Sequence, residues 1–143
     1  MIILDTNVVS EPMRPTGDPR VVQWLNRQSP DTLFLTASSL TELLVGIARL
    51  PPGKRRAGLD IALGDLIDSL FGDRVLSFDR TAATAYAHLI ERARGSGRAI
   101  SVADGQIAAI ATVHGYTVAT RDTSPFVAAG VPVIDPWATG DAP

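Results

Sequence analysis

Cysteine is absent from all 143 residues, which removes disulfides, thiolate metal sites and cysteine nucleophiles from consideration. Aromatic residues make up only 6% of the chain, too few to suggest a platform on which successive bases stack. No apolar run approaches the roughly 18 residues of a membrane-spanning helix, and the opening "MIIL" is far too short to read as a secretory leader. The formal net charge is −2, so no global basic field draws in a polyanion, and any anionic partner must be held by local patches. Neither G-x-S-x-G nor G-x-x-x-x-G-K-[ST] occurs, which leaves a serine hydrolase or a P-loop enzyme without support. His88 and His114 fall within helical patterns and outside any H-E-x-x-H frame, so neither reads as a ligand. A cytoplasmic protein is the expectation that fits these absences.

Hydrophobic residues supply 45% of the chain and charged residues 20%, ordinary values for a globular domain of this length. Five short apolar runs stand at 1–4, 33–35, 75–78, 117–119 and 131–134. They do not alternate with polar residues, so they read as strands covered on both faces, as in a parallel sheet. Helical patterns fall between them at 18–27, 38–50, 57–71, 80–95 and 102–114, and this β-α alternation predicts a layered α/β domain. Pro132 makes the last strand an edge. The stretches 11–19 and 50–58 read as loops within one domain. Trp24, Leu66, Leu70, Phe71 and Trp137 read as packing residues.

Acidic residues follow the strands. Asp5 comes after "MIIL", Asp79 after "VLSF", Asp122 after "VATR" and Asp135 after "VPVI". For Asp79 and Asp135 a turn or helix-capping role is the simpler reading. In an open parallel sheet, ligands bind outside the carboxyl ends of the strands where strand order reverses. With the first strand central and the fourth crossing to its other side, Asp5 and Asp122 flank that reversal. Ser39-x-x-Glu42 and Ser101-x-x-Asp104 both have the shape of a capping box, so each acid has a local role at a helix start. Both helices would also open toward the same rim.

Four carboxylates aimed at one spot repel one another unless protons or a cation intervene. Oxygen donors without cysteine or histidine favour a hard ion, Mg2+ or Mn2+, over zinc. Such an ion can activate water and offset charge on a phosphodiester.

The ordered set "MIILDTNVVSEP", "TASSLTELLVGIARL", "ISVADGQIAAIATVHGYTVATRDTSPF" and "VPVIDPW" resembles the PIN-domain toxins of type II toxin–antitoxin systems, the VapC family and within it the FitB-like group. The signatures D-T-N, E-L-x-x-G, A-D-x-x-I-A and T-R-D occur in family order. The resemblance implies an α/β/α sandwich over residues 1–138 with a parallel five-stranded sheet in the order 3-2-1-4-5, and a flexible tail at 139–143. It implies a Mg2+- or Mn2+-dependent endoribonuclease, usually dimeric, whose partner is a small antitoxin with a DNA-binding domain. The family's acidic site falls on Asp5, Glu42, Asp104 and Asp122, with Asp5 and Asp104 as the leading direct ligands. Thr120 matches a hydroxyl residue that supports the site by hydrogen bonding. Asp122 stands where many relatives carry Asn, and Pro125 where another common form carries Asp.

Thr6 and Asn7 read equally as orienting Asp5 and as turning the chain into the next helix. Gly46, one turn after Glu42, reads as a close-packing position rather than as room for a phosphate. Arg49, Lys54, Arg55 and Arg56 form a basic run, by default a solvated face. Arg92 and Arg98, ahead of the Asp104 helix, and Arg121, beside Asp122, are better placed to meet an RNA backbone. Two other classes of function remain at this point: a phosphotransfer domain using Asp5 as acceptor, and a non-catalytic binding module on the same fold.

Overall fold

The computed structural model describes residues 1–138; the tail expected at 139–143 lies outside the described residues. Five strands form one parallel sheet: β1 (Ile2–Leu4), β2 (Leu33–Thr36), β3 (Val75–Leu76), β4 (Thr117–Ala119) and β5 (Val133–Ile134), in the order β3-β2-β1-β4-β5. Ile3 pairs with Phe34 on one side and Val118 on the other, so β1 is central. β5 is an edge, as Pro132 requires, and the third and fifth strands are shorter than their apolar runs.

The helices are α1 (Thr6–Ser10), α2 (Pro19–Arg27), α3 (Ala37–Ala48), α4 (Lys54–Leu66), α5 (Arg80–Gly95), α6 (Val102–His114) and α7 (Ser124–Ala128). The expected helix over 57–71 starts earlier, at Lys54, and finishes in a π-helical turn, Ile67–Phe71, closed by Gly72 N–H donating to Ile67 O at 2.8 Å. Gly72 there has φ +53, a left-handed conformation that a glycine adopts without a Cβ clash. The expected loop over 11–19 contains a 3-10 turn, Glu11–Met13, and a clasp: the buried Glu11 carboxylate accepts the Asp18 N–H at 2.7 Å. Asp79 caps α5 through Ala82 N–H at 2.9 Å, and Asp135 turns the chain by accepting Trp137 N–H at 2.9 Å.

Period-2 alternation splits the core in two. Ile3 and Val118 point to one face, where Leu89, Ile107, Ile110, Phe126 and Val131 from α5, α6 and the α7 segment cover them. Leu4 and Ala119 point to the other face, against Val8, Val21, Trp24, Leu35, Phe71 and Trp137. Trp24, Leu66, Leu70, Phe71 and Trp137 all join this second cluster. The small residues of α6 allow a close approach to α5: a Cβ at Gly105 would stand 2.6 Å from Tyr86 Cε2. That contact fixes the axial position of α6, and with it the height of Asp104 above the sheet edge.

Candidate functional site at the carboxyl edge of the sheet

Asp5 is the residue immediately after β1, and its side chain caps α1. Oδ1 accepts the Thr6 N–H at 2.8 Å and faces Thr6 Oγ1 at 3.1 Å, while Oδ2 accepts the Thr120 hydroxyl at 2.8 Å. Thr120 follows β4, the neighbouring strand, and is fully buried. Its oxygen in turn accepts the Asp122 N–H at 3.2 Å. Both oxygens of the Asp5 carboxylate are thus hydrogen-bonded, which favours one orientation of the carboxylate plane.

Thr6 Oγ1 also lies 2.9 Å from Glu42 Oε2, 36 residues away on α3. A hydroxyl has one proton, so it serves Asp5 or Glu42 at any instant, and the remaining oxygen contact is between electron-rich atoms. A cation near this pair relieves that repulsion. Glu42 corrects the capping-box expectation. The cap of α3 is Thr36, whose hydroxyl accepts Ser39 N–H at 3.0 Å, so α3 begins at Ala37 and Glu42 sits in its second turn. Away from the helix end, the Glu42 carboxylate has no terminal N–H to satisfy.

Ser101 does cap α6: its hydroxyl accepts the Asp104 N–H at 3.1 Å. The half-buried Asp104 carboxyl is pushed above the ordinary carboxylate range. Burial is the main cause; the Ser101 hydroxyl works in the opposite direction, and Asp5, Asp122 and Glu42 push it further up. All three other predicted acids act on Asp104, while Thr6 and Thr120 join Asp5 to Glu42 and to the Asp122 backbone. Asp79, the cap of α5, has no part in it. Asn7 accepts the Arg121 N–H at 3.4 Å, tying α1 to the segment after β4, whereas Thr6 touches the acids directly.

Among the described residues, no three acids stand close enough to form a ready-made metal cage. Magnesium commonly keeps several waters and takes only one or two carboxylates directly. An all-oxygen donor set with that openness fits a hard, hydrated divalent ion.

A cavity of about 630 Å3 is not centred on the acids. It lies beside α3 and α4 with an apolar floor that includes Leu43, Ile47 and Leu59, Glu42 at its edge, and Lys54 and Arg55 among its lining. Gly46 lines it too. A Cβ added at Gly46 would meet nothing within 4 Å, so the close-packing expectation is corrected: α3 faces open space at this point. Arg92 and Arg98 lie at the α5 end, where Ser96 N–H bonds Arg92 O at 3.2 Å and Arg98 N–H bonds Ala93 O at 2.8 Å; neither side chain forms an ion pair among the described residues. His114 packs its ring 5.2 Å from that of Tyr116.

Three relationships escaped the sequence reading. Thr6 bridges to Glu42, Glu11 clasps the 11–18 loop, and Arg121 lies over the Trp137 ring at 5.2 Å. D-T-N was the available signal for the first. For the other two, no local pattern brings the partners together.

Residues 2–131 match the family model described as PIN domain. The VapC ribonuclease Y4jK of Sinorhizobium fredii is 49% identical over 138 residues, covering 96% of this chain and 98% of the relative. Toxin FitB of Neisseria gonorrhoeae is 46% identical over 137 residues, covering 96% and 99%. The crystal structure of FitAcB from Neisseria gonorrhoeae superposes with a TM-score of 0.92 at 46% identity, covering 96% of this chain and 99% of that one. The strand order, the position of the acids beyond the carboxyl edge and these likenesses lead to one conclusion: the chain belongs to the PIN-domain family.

Proposed function

We propose that this protein is a divalent-metal-dependent endoribonuclease and the toxin of a toxin–antitoxin pair, with residues 1–138 as its PIN domain. The observation that carries the reading is the hydrogen-bond chain at the reversal of strand order that joins Asp5 to Glu42 through Thr6 and to the Asp122 backbone through Thr120, with all three acids acting electrostatically on Asp104. The family match, and relatives named as a VapC ribonuclease and a toxin at 46–49% identity, support it.

Asp5 and Asp104 would hold the ion directly, with Glu42 and Asp122 completing the shell, in part through water. When bound, Mg2+ or Mn2+ supplies a lowered pKa for water and positive charge for the phosphodiester. The chain's own contribution is orientation. Thr6 and Thr120 lock Asp5, and Thr6 holds Glu42 to the same spot, so little reorganisation is left for the reaction. Arg92, Arg98 and Arg121 are the candidate phosphate contacts. The antitoxin, with its DNA-binding domain, would inhibit by filling the apolar cavity beside Glu42 and presenting a basic group to the acids. A homodimer in the cytoplasm is the assembly and setting this reading carries with it.

The test is a gel. Purified protein cuts labelled RNA with Mn2+ or Mg2+, stops with EDTA, and loses cutting as Asp104→Asn while keeping its circular dichroism. An Asp104→Asn protein that cuts as fast as the parent overturns the site.

A further inference from the structure

Arg121 is an exposed cation adjacent in sequence to Asp122, yet it forms no ion pair among the described residues. Two contacts anchor it, and neither neutralises it. Its N–H donates to Asn7 Oδ1 at 3.4 Å, and its guanidinium carbon lies 5.2 Å from the centroid of the Trp137 ring. Trp137 is buried in the core cluster with Leu4, Val21 and Ala119, which holds its ring in place, and its backbone N–H donates to Asp135 Oδ1 at 2.9 Å.

Asp18 and Asp135, two acids on this side, already have partners. Asp18 takes Arg20 fork-on, with Nη2 2.8 Å from Oδ2 and Nε 3.2 Å from Oδ1. That hydrogen bonding is the main reason its carboxyl is lowered, with Arg121 the smallest of the contributors. Asp135 bonds the Trp137 backbone. Arg121 therefore presents a flat, unpaired guanidinium at the edge of an acidic site, in a chain with a net charge of −2. A guanidinium stacked on an aromatic face keeps its edge donors free, and those donors match phosphate oxygens.

We propose that Trp137 is a positioning residue that holds Arg121 as a phosphate clamp for the RNA strand beside the acids. The clamp rests on the nuclease reading of that site. It sets where the backbone runs: past the segment after β4, on the α2 and β5 side, rather than through the apolar cavity beside α3 and α4.

The experiment uses the full chain, a 5′-labelled single-stranded RNA of mixed sequence, and fluorescence anisotropy in EDTA across a KCl series, followed by cleavage kinetics in Mn2+. Arg121→Gln is expected to weaken binding about fivefold and to reduce the slope of log K against log[salt] by about 0.7, one phosphate contact on a single strand. Its KM rises while kcat stays within about twofold. Trp137→Leu weakens binding about threefold, Trp137→Phe restores it, and Trp137→Leu adds nothing in the Arg121→Gln background. Where Trp137→Leu fails to fold, Arg121→Gln and Trp137→Phe carry the test. Unchanged affinity and salt slope in Arg121→Gln, from a parent that cuts RNA, overturn the clamp and leave the nuclease standing. A parent that binds RNA through Arg121 but cuts with neither ion keeps the clamp and overturns the nuclease.

Discussion

Thr120 Oγ1 donates to Asp5 Oδ2 at 2.8 Å across 115 residues of sequence, and both residues are buried. The bond joins the ends of the two strands between which strand order reverses. It supplies the one hydrogen bond to that carboxylate oxygen which comes from outside the β1–α1 turn. Thr120→Val keeps the shape and removes the donor, leaving a buried charged oxygen unsatisfied, which costs about 1–3 kcal/mol. Urea unfolding in EDTA should show that loss, and Thr120→Ser should recover most of it. Cleavage should fall in Thr120→Val, because Asp5 is free to turn.

The pH dependence of stability follows from Asp104. Burial, and then Asp5, Asp122 and Glu42, raise its carboxyl above the ordinary aspartate range. The folded state therefore holds this proton more tightly than the unfolded chain. Its contribution to stability is greatest below about pH 4 and is lost as pH rises through the raised value. Thermal midpoints in EDTA, parent against Asp104→Asn, should differ little at low pH and favour the Asn protein above that window. The opposite trend with pH would mean that the acids do not crowd one another.

Adding Mn2+ should reverse that disadvantage in the parent alone. Ligand binding to the folded state stabilises by RT ln(1 + [L]/Kd), about 2.7 kcal/mol at a hundredfold excess over Kd. Asp5→Asn and Asp104→Asn should lose most of the Mn2+-dependent rise in melting temperature, and Glu42→Gln a part of it. Differential scanning fluorimetry with and without EDTA reads this without any RNA.

Two glycines in helices should respond in opposite directions to the same change. Gly105→Ala places a methyl 2.6 Å from Tyr86 Cε2 and 3.3 Å from Ile90 Cδ1, and overpacking of this kind costs about 1–3 kcal/mol. Because α6 carries Asp104, cleavage should fall as well. Gly46→Ala meets nothing within 4 Å and sits in the interior of α3, so it should gain about 0.5–1 kcal/mol. Urea midpoints of the two proteins check both signs.

Local chemistry made much of this molecule legible from its residues. The five apolar runs, the Ser101 cap, the aspartates after the strands and the helix over 80–95 each depend on neighbours a few positions apart, and they stand where the pattern puts them. The short helices α1 and α7 were not legible, because five residues carry too little periodicity to distinguish a helix from a turn. Glu42 shows the limit most clearly. Ser39-x-x-Glu42 satisfies a local capping rule, but the end of β2 delivers the chain one turn earlier, and Thr36 takes the cap. Only then is the Glu42 carboxylate released to meet Thr6.

The layered α/β class, the pattern of two-sided strands and an acidic, cysteine-free set of oxygen donors are all written in the residues themselves, because each follows from composition and short-range periodicity. Tertiary structure decided what those donors do together. The crossover from β3 to β4 brings Thr120 and Asp122 beside Asp5, and the packing of α5 against Gly105 sets the position of Asp104. The core packing of Trp137 places Arg121 over its ring at the rim, without an ion pair among the described residues. Each of these outcomes is a through-space relation between segments tens of residues apart, fixed by which apolar faces must be buried together.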